Sequence, residues 1–247
     1  MKRKTITIIS VLAVLITASL LLSSCINFRG LAVKGSGKII SKEFDVSDFD
    51  SVNFSGIGKI EIDQGKEEKL FVEAEENIID KLDIKVRSQT LYIGMKKGYL
   101  SIIPTKDIIF KLTIRDIKDI NLSGAGSITG SKDIKIETLD IDSSGLGNIE
   151  LKINGESVKA MISGAGRIDL EGEVKTQEIQ ISGLGSYNAE NMSSNDCRII
   201  ISGAGNAKVN VVQSLDINIS GLGSVEYSGR PSVSQSVSGG GNVKSAD

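Results

Sequence analysis

Ile162-Ser163-Gly164-Ala165-Gly166-Arg167-Ile168 decides the fold. Its pattern is apolar, Ser, Gly, any residue, Gly, polar, apolar. The pattern recurs with its serine at Ser55, Ser123, Ser144, Ser163, Ser182, Ser202, Ser220 and Ser238, and the last seven copies lie 21, 19, 19, 20, 18 and 18 residues apart. A regular period of this length marks a stacked β architecture, in which each repeat buries its apolar face against the next.

The positions around each serine fill out one coil. An apolar residue precedes it at Phe54, Leu122, Ile162, Ile181, Ile201, Ile219 and Val237, with Ser143 the exception. Another follows five residues later, at Ile60, Ile128, Ile149, Ile168, Tyr187, Ala207, Val225 and Val243. Each repeat therefore reads as strand, glycine segment, strand and a polar return such as Glu190 to Asp196. Coils laid in parallel register repeat at about 4.8 Å, and parallel crossovers are right-handed. The expected fold is all-β, a right-handed parallel β-helix or β-solenoid with coils of ~19 residues. An antiparallel β roll or a propeller is the alternative.

Two geometries suit the paired glycines Gly124, Gly126, Gly145, Gly147, Gly164, Gly166, Gly183, Gly185, Gly203, Gly205, Gly221 and Gly223. A strand running straight through sends the residue between them outward, and glycine is then needed because an opposite wall comes too close. A glycine at positive φ bends the chain and lets that residue enter the core. The middle residues alternate as Ala125, Leu146, Ala165, Leu184, Ala204 and Leu222, ending at Gly240. Alternation of small and large groups suits interdigitation and favours the inward geometry.

The first 25 residues differ from the rest. Lys2-Arg3-Lys4 is followed by an uncharged run from Ile6 to Leu22 and then by Ser23-Ser24-Cys25. This is the pattern of a secretory signal, and its end resembles the lipobox of bacterial lipoproteins, which implies lipidation of Cys25. The expected organisation is a signal over 1–25, a tether over 26–37 and one domain over 38–247, held extracytoplasmically at a bacterial membrane through the lipid on Cys25. Removing three cations with the signal takes the formal charge from −2 to −5. A mildly acidic domain without a basic cluster is a poor match for nucleic acid.

Catalytic signatures are sparse. The chain has no histidine, the commonest general base and zinc ligand. Gly-x-Gly here precedes strands rather than helices, so it does not form a phosphate cradle. Gly239-Gly240-Gly241-Asn242-Val243 lacks the aspartate of the calcium-binding nonapeptide. No cofactor, metal site or catalytic residue is expected. Cys197 alternates with Ile199 and Ile201 and reads as a buried structural thiol. Asp45, Asp48 and Asp50 read as a solvated acidic patch that protects an edge.

Carboxylates such as Asp140 and Asp142, with Asp169 and Asp216 in other coils, support an alternative, a β-helix enzyme acting on polysaccharide. The favoured binding surface is the polar column Ser127, Asn148, Arg167, Ser186, Asn206 and Ser224. Repeated at the coil spacing, it suits hydrogen bonding to an envelope glycan or to another envelope protein.

The opening Phe44-x-Val-x-x-Phe49, the segment from Phe54 to Ile62, the Glu75-to-Asp80 piece and the serial Ser-Gly-Ala/Leu-Gly repeats resemble the bacterial GIN head domain. The resemblance spans roughly Gly37 to Asp247. It implies an extracytoplasmic β-helical domain, often carried on lipoproteins, with an adhesin role and no catalytic residues to transfer. No outer-membrane barrel follows Asp247, so a complete autotransporter is not expected. The overall expectation is a non-enzymatic cell-envelope lipoprotein acting as an adhesin or binding scaffold.

Overall fold

The structure is a computed structural model that describes residues 32–98 and 101–246. The signal, Cys25 and the first half of the tether, 26–31, lie outside the described residues. Eighteen strands and one short helix occur among the described residues. The regular part comprises β10 (Asp119–Leu122), β11 (Ser127–Ser143), β12 (Asn148–Ile162), β13 (Arg167–Ile181), β14 (Ser186–Ile201), β15 (Asn206–Ile219), β16 (Ser224–Ser228), β17 (Ser232–Val237) and β18 (Asn242–Ser245). Every pairing among them is parallel. Asn148 lies beside Arg167, Arg167 beside Ser186, Ser186 beside Asn206 and Asn206 beside Ser224. Each step along the stack is thus one coil, and the fold is a β-solenoid of about 7 turns.

A coil is simpler than strand, bend, strand, return. From β11 to β15 one strand of 14 to 17 residues runs nearly the whole way round, interrupted only at Ser-Gly-x-Gly. The expected polar return Glu190 to Asp196 lies inside β14, and Met192 and Ser194 are buried. Unequal coil lengths are absorbed by bulges, as between Gly130 and Asp133 and between Ala189 and Ser193.

Apolar columns fill the interior. Ile128, Ile149, Ile168, Tyr187, Ala207 and Val225 follow one another in register and are buried, as are Leu122, Ile162, Ile181, Ile201 and Ile219. Tyr187 fits because its neighbour in the next coil is Ala207. Ser143 breaks the second column, and its hydroxyl has no partner among the described residues. Cys197 is buried beside Ile199 and Ile201, and burial raises its thiol pKa far above the ordinary range, so it is an inert core group.

The glycines correct the expected geometry. None of the twelve in the repeat has positive φ. The chain keeps its parity through the bend, and Leu146, Leu184 and Leu222 point outward, 71%, 71% and 72% exposed. Glycine is required for a lateral reason, since a Cβ on Gly183 would fall on the carbonyl oxygen of Gly164 in the preceding coil. The same collision awaits at Gly145, Gly164, Gly203 and Gly221, each against the coil before it. At the second position, a Cβ on Gly185 would meet the Ile162 side chain and sit 2.6 Å from the Gly166 carbonyl oxygen. The crowding comes from the adjacent coil, not from an opposite wall.

Among the described residues, antiparallel pairing, part of the alternative architecture, occurs only at the N-terminal end. There β2 (Ile39–Phe44) pairs with β5 (Lys69–Glu75), β5 with β9 (Ile109–Ile114), and β6 (Leu82–Arg87) with β7 (Thr90–Met95). These pairs terminate the two walls that β3 (Ser51–Phe54) and β4 (Lys59–Gln64) begin. Helix α1 (Glu76–Ile79) connects β5 to β6 and buries Ile78 and Ile79, closing that end of the core. Strand β1 (Ala32–Lys34) pairs with β8 (Ser101–Ile103), so structure begins ahead of Lys38, within the expected tether.

Glu75, fully buried, ties these pieces together. Its carboxylate accepts hydrogen bonds from the Thr105 hydroxyl (2.6 Å), the Thr105 amide (2.9 Å) and the Gly37 amide (2.6 Å). The Thr105 hydroxyl above all, with the amides, holds its pKa below the usual carboxylate range. A depressed carboxylate pKa stabilises the fold above the unfolded value of about 4.3 and ceases to do so as pH falls through the folded value. Thermal unfolding should therefore show Glu75→Gln melting below wild type at neutral pH, with the gap closing below about pH 4. Gly183→Val should destabilise by more than about 2 kcal/mol through forced separation of two coils, readable as a lowered denaturation midpoint.

Candidate functional site

The polar column is assembled as expected. Ser127, Asn148, Arg167, Ser186, Asn206 and Ser224 stand in one line on consecutive coils, exposed or half-buried, with Lys59 before them and Asn242 after. Its members interact with one another sparingly. The Ser224 hydroxyl donates to Asn206 Oδ1 at 2.7 Å, and Arg167 lies 3.8 Å from Asp169 on its own strand. The line follows directly after the exposed leucines along a ridge, and at its N-terminal end Lys59 and Ser127 border a concavity of about 620 Å³ shared with Pro104 and Asp107.

A groove lies elsewhere on the coil, of about 620 Å³. Two outward columns line it. One carries hydroxyls, Thr138, Ser157, Thr176 and Ser214, with Asp196 in the fourth coil. The other alternates in charge as Asp140, Lys159, Glu178, Arg198 and Asp216. Lys159 approaches Glu178 at 3.8 Å and Arg198 approaches Asp216 at 3.7 Å, while the Ser214 hydroxyl donates to Asp196. Such exposed, loosely paired charges contribute little to stability, which leaves them available to a ligand.

The groove floor is fixed from within. Val158, Gln177 and Cys197 form it, and Gln177 is a buried polar residue in an otherwise apolar column. The Tyr187 hydroxyl donates to Gln177 Oε1 at 2.8 Å, and Gln177 Nε2 donates to the Ser194 hydroxyl at 2.8 Å. All three side chains are buried. Burial also raises the Tyr187 pKa well above its ordinary value, which keeps the hydroxyl protonated and donating.

The structure separates the carboxylates instead of gathering them. Asp140 lies between Asp119 and Lys159 in its column, whereas Asp142, two residues on, lies between Asn121 and Met161. Asp169 belongs to the Arg167 side of the coil and Asp216 to the groove. In the N-terminal acidic patch, Asp48 pairs with Arg115 at 3.4 Å and Asp50 with Lys118 at 2.7 Å. The hydrogen bond from Lys118 lowers the Asp50 pKa, so this carboxylate stabilises the edge as an ion-pair member. Among the described residues, no group of three or more His, Cys, Asp or Glu side chains converges on a metal site. No helix among them is long and apolar enough to cross a membrane.

A family model described as "Putative auto-transporter adhesin, head GIN domain" matches residues 48–231. The chain belongs to the GIN head domain family. Similar folds occur in solved structures of Bacteroides and Parabacteroides proteins. A Bacteroides fragilis protein described as a putative adhesin shares 24% identity over 86% of this chain and 99% of its own, with a TM-score of 0.82. A Parabacteroides distasonis protein described as a putative lipid binding protein shares 26% identity over 87% of this chain and 100% of its own, at a TM-score of 0.71. A Parabacteroides merdae protein described as a putative adhesin is 22% identical at a TM-score of 0.70. No curated protein sequence gives a significant match. The GIN match therefore runs from β3 to β16, with β1 and β2 ahead of it and β17 and β18 beyond it.

Sequence reasoning placed the polar column and missed the groove. The signal was present, because adding one coil length repeatedly to Asp140 lands on Lys159, Glu178, Arg198 and Asp216. Tyr187→Phe removes the donor to Gln177 and leaves a buried acceptor unpaired. It should cost about 1–3 kcal/mol in denaturant unfolding, with strand content unchanged by circular dichroism.

Proposed function

We propose that this GIN domain is a non-enzymatic adhesin of the bacterial envelope, held at a membrane by lipid on Cys25, whose solenoid binds an extended polar ligand such as an envelope glycan along the groove. The observation that carries this reading is the pair of parallel columns, hydroxyls beside alternating charges, repeated at the coil spacing over five coils. A polymer lying along the stack meets the same donors and acceptors at each step, so weak contacts add through multivalency. The alternation of sign gives a neutral or zwitterionic chain partners of each charge and gives a polyanion no continuous attraction.

The family's adhesin description and the absence of a catalytic constellation in the sequence support binding over turnover. The lipid-binding description of the Parabacteroides distasonis relative agrees with a life at a lipid surface. Lipidation itself rests on Lys2-Arg3-Lys4, the uncharged run and Ser23-Ser24-Cys25.

Binding to isolated envelope polysaccharide, followed by surface plasmon resonance, separates the two candidate surfaces. Replacing Ser157, Thr176 and Arg198 together with alanine should weaken binding by about tenfold or more, the equivalent of roughly 1.4 kcal/mol. Replacing Asn148, Arg167 and Asn206 together should leave it within about twofold, well under that threshold. Loss of binding in the second variant alone would move the site to the polar column. Hydrolysis of the polysaccharide that disappears on mutating Asp140 and Asp142 would replace the adhesin reading with an enzyme.

A further inference from the structure

The exposed leucines take no part in lining the groove. Leu146, Leu184 and Leu222 sit at the outward bend of alternate coils, with Ala165 and Ala204 between them. Over four coil steps of about 4.8 Å they form a straight apolar ridge of about 19 Å. The ridge is bordered by the serine column from Ser123 to Ser238 on one side and the polar column from Ser127 to Asn242 on the other. Across these three columns the only charge is Arg167.

We propose that this ridge is a membrane-contact edge, the leucines entering the acyl boundary of a lipid bilayer and the adjoining polar column lying among its headgroups. The inference rests on the lipid anchor at Cys25 proposed above. The place where the chain enters the fold selects the partner. Val33 of β1 pairs with Ile102, and Ile102 shares a small apolar pocket with Ile57. Ile57 occupies the ridge position of the first coil, in register with Ala125, because Phe54 pairs with Leu122 and Lys59 with Ser127. The anchored segment therefore enters beside the N-terminal end of the ridge.

Seven peptide links separate Cys25 from Ala32, a reach of about 25 Å at most. An acyl group on Cys25 thus holds that end of the ridge close to the bilayer. Anchoring makes the second contact intramolecular, so three leucines suffice to set orientation although they would bind weakly alone.

A second copy is a poorer occupant. The leucines stand on a convex bend, so two rigid ridges meet along a line and fall short of the roughly 800 Å² per partner of a stable interface. A fluid bilayer conforms to a convex edge. The groove lies eight residues from the ridge along a coil of about nineteen, as Thr138 lies from Leu146, and is left displayed away from the lipid.

The test uses the full chain in vesicles of phosphatidylethanolamine and phosphatidylglycerol, with an environment-sensitive fluorophore on Leu184→Cys or, in the groove, on Thr176→Cys. Cys25 acylation is read separately by mass spectrometry. Quenching by lipids spin-labelled on the acyl chain should be several-fold stronger at position 184 than at 176. It should fall to the 176 level when Leu146→Ser and Leu222→Ser are added, with an unchanged melting temperature because those side chains are exposed. Equal quenching at the two positions, or none at 184, with Cys25 acylated would overturn the ridge and leave the anchor standing. An unmodified Cys25 would end the anchor reading. The ridge would then stand only if flotation with the vesicles depended on the leucines, and would fall if it did not. Leucine-dependent self-association without quenching would assign the ridge to a second copy and overturn the proposal.

Discussion

Coil stacking at the Ser-Gly-x-Gly bend is the constraint from which the rest of the molecule follows. Each coil hydrogen-bonds to the one before it through this bend, as when the Leu184 amide donates to the Gly164 carbonyl at 3.0 Å and the Ser186 amide to the Gly166 carbonyl at 3.0 Å. At that spacing the carbonyl oxygen of one coil occupies the space of a Cβ on the next. Glycine is then a condition of closure, and its recurrence fixes the length of the coil. The apolar residues on either side, such as Ile181 and Tyr187, are carried into the interior by strand parity from that fixed point.

Registered stacking converts a sequence of repeats into a surface of columns. Each column has its own chemistry: leucine and alanine at the ridge, serine and asparagine beside it, and alternating charges and hydroxyls at the groove. A substitution in one coil changes one rung of a column and leaves the stack intact, since outward residues touch no core. This separation is what allows the proposed lipid contact on one edge and a polar groove on another to coexist on one scaffold. The ends are managed separately. Antiparallel pairs, α1 and the buried Glu75 close the N-terminal end, while β17 and β18 at the other end are largely exposed.

Much of this was legible in the sequence because the repeat is laid out at nearly constant spacing. The parallel stack, the core columns, the buried Cys197 and the polar column all follow from counting residues from each serine. Leu184 was not legible, because alternation of large and small residues suits an exterior ridge as well as an interior column. Only the backbone geometry shows that the glycines yield to a neighbouring carbonyl instead of to a positive φ. Gln177 was hidden for a different reason: its partners Tyr187 and Ser194 are ten and seventeen residues away on the following coil and meet it only once that coil is stacked. The groove was obscured because its residues carry no local motif and become a site only when coils are placed in register.

The outward, registered column of middle residues is the central structural claim, and spin-label distances test it most directly. Labels on Leu146→Cys paired with Leu184→Cys, and on Leu146→Cys paired with Leu222→Cys, are measured in a Cys25→Ser background in which buried Cys197 stays unreacted. Two and four coil steps predict backbone separations of about 10 and 19 Å, with mobile, solvent-accessible labels in each case. Immobilised labels, or distances that do not double with the number of coils, would contradict the account.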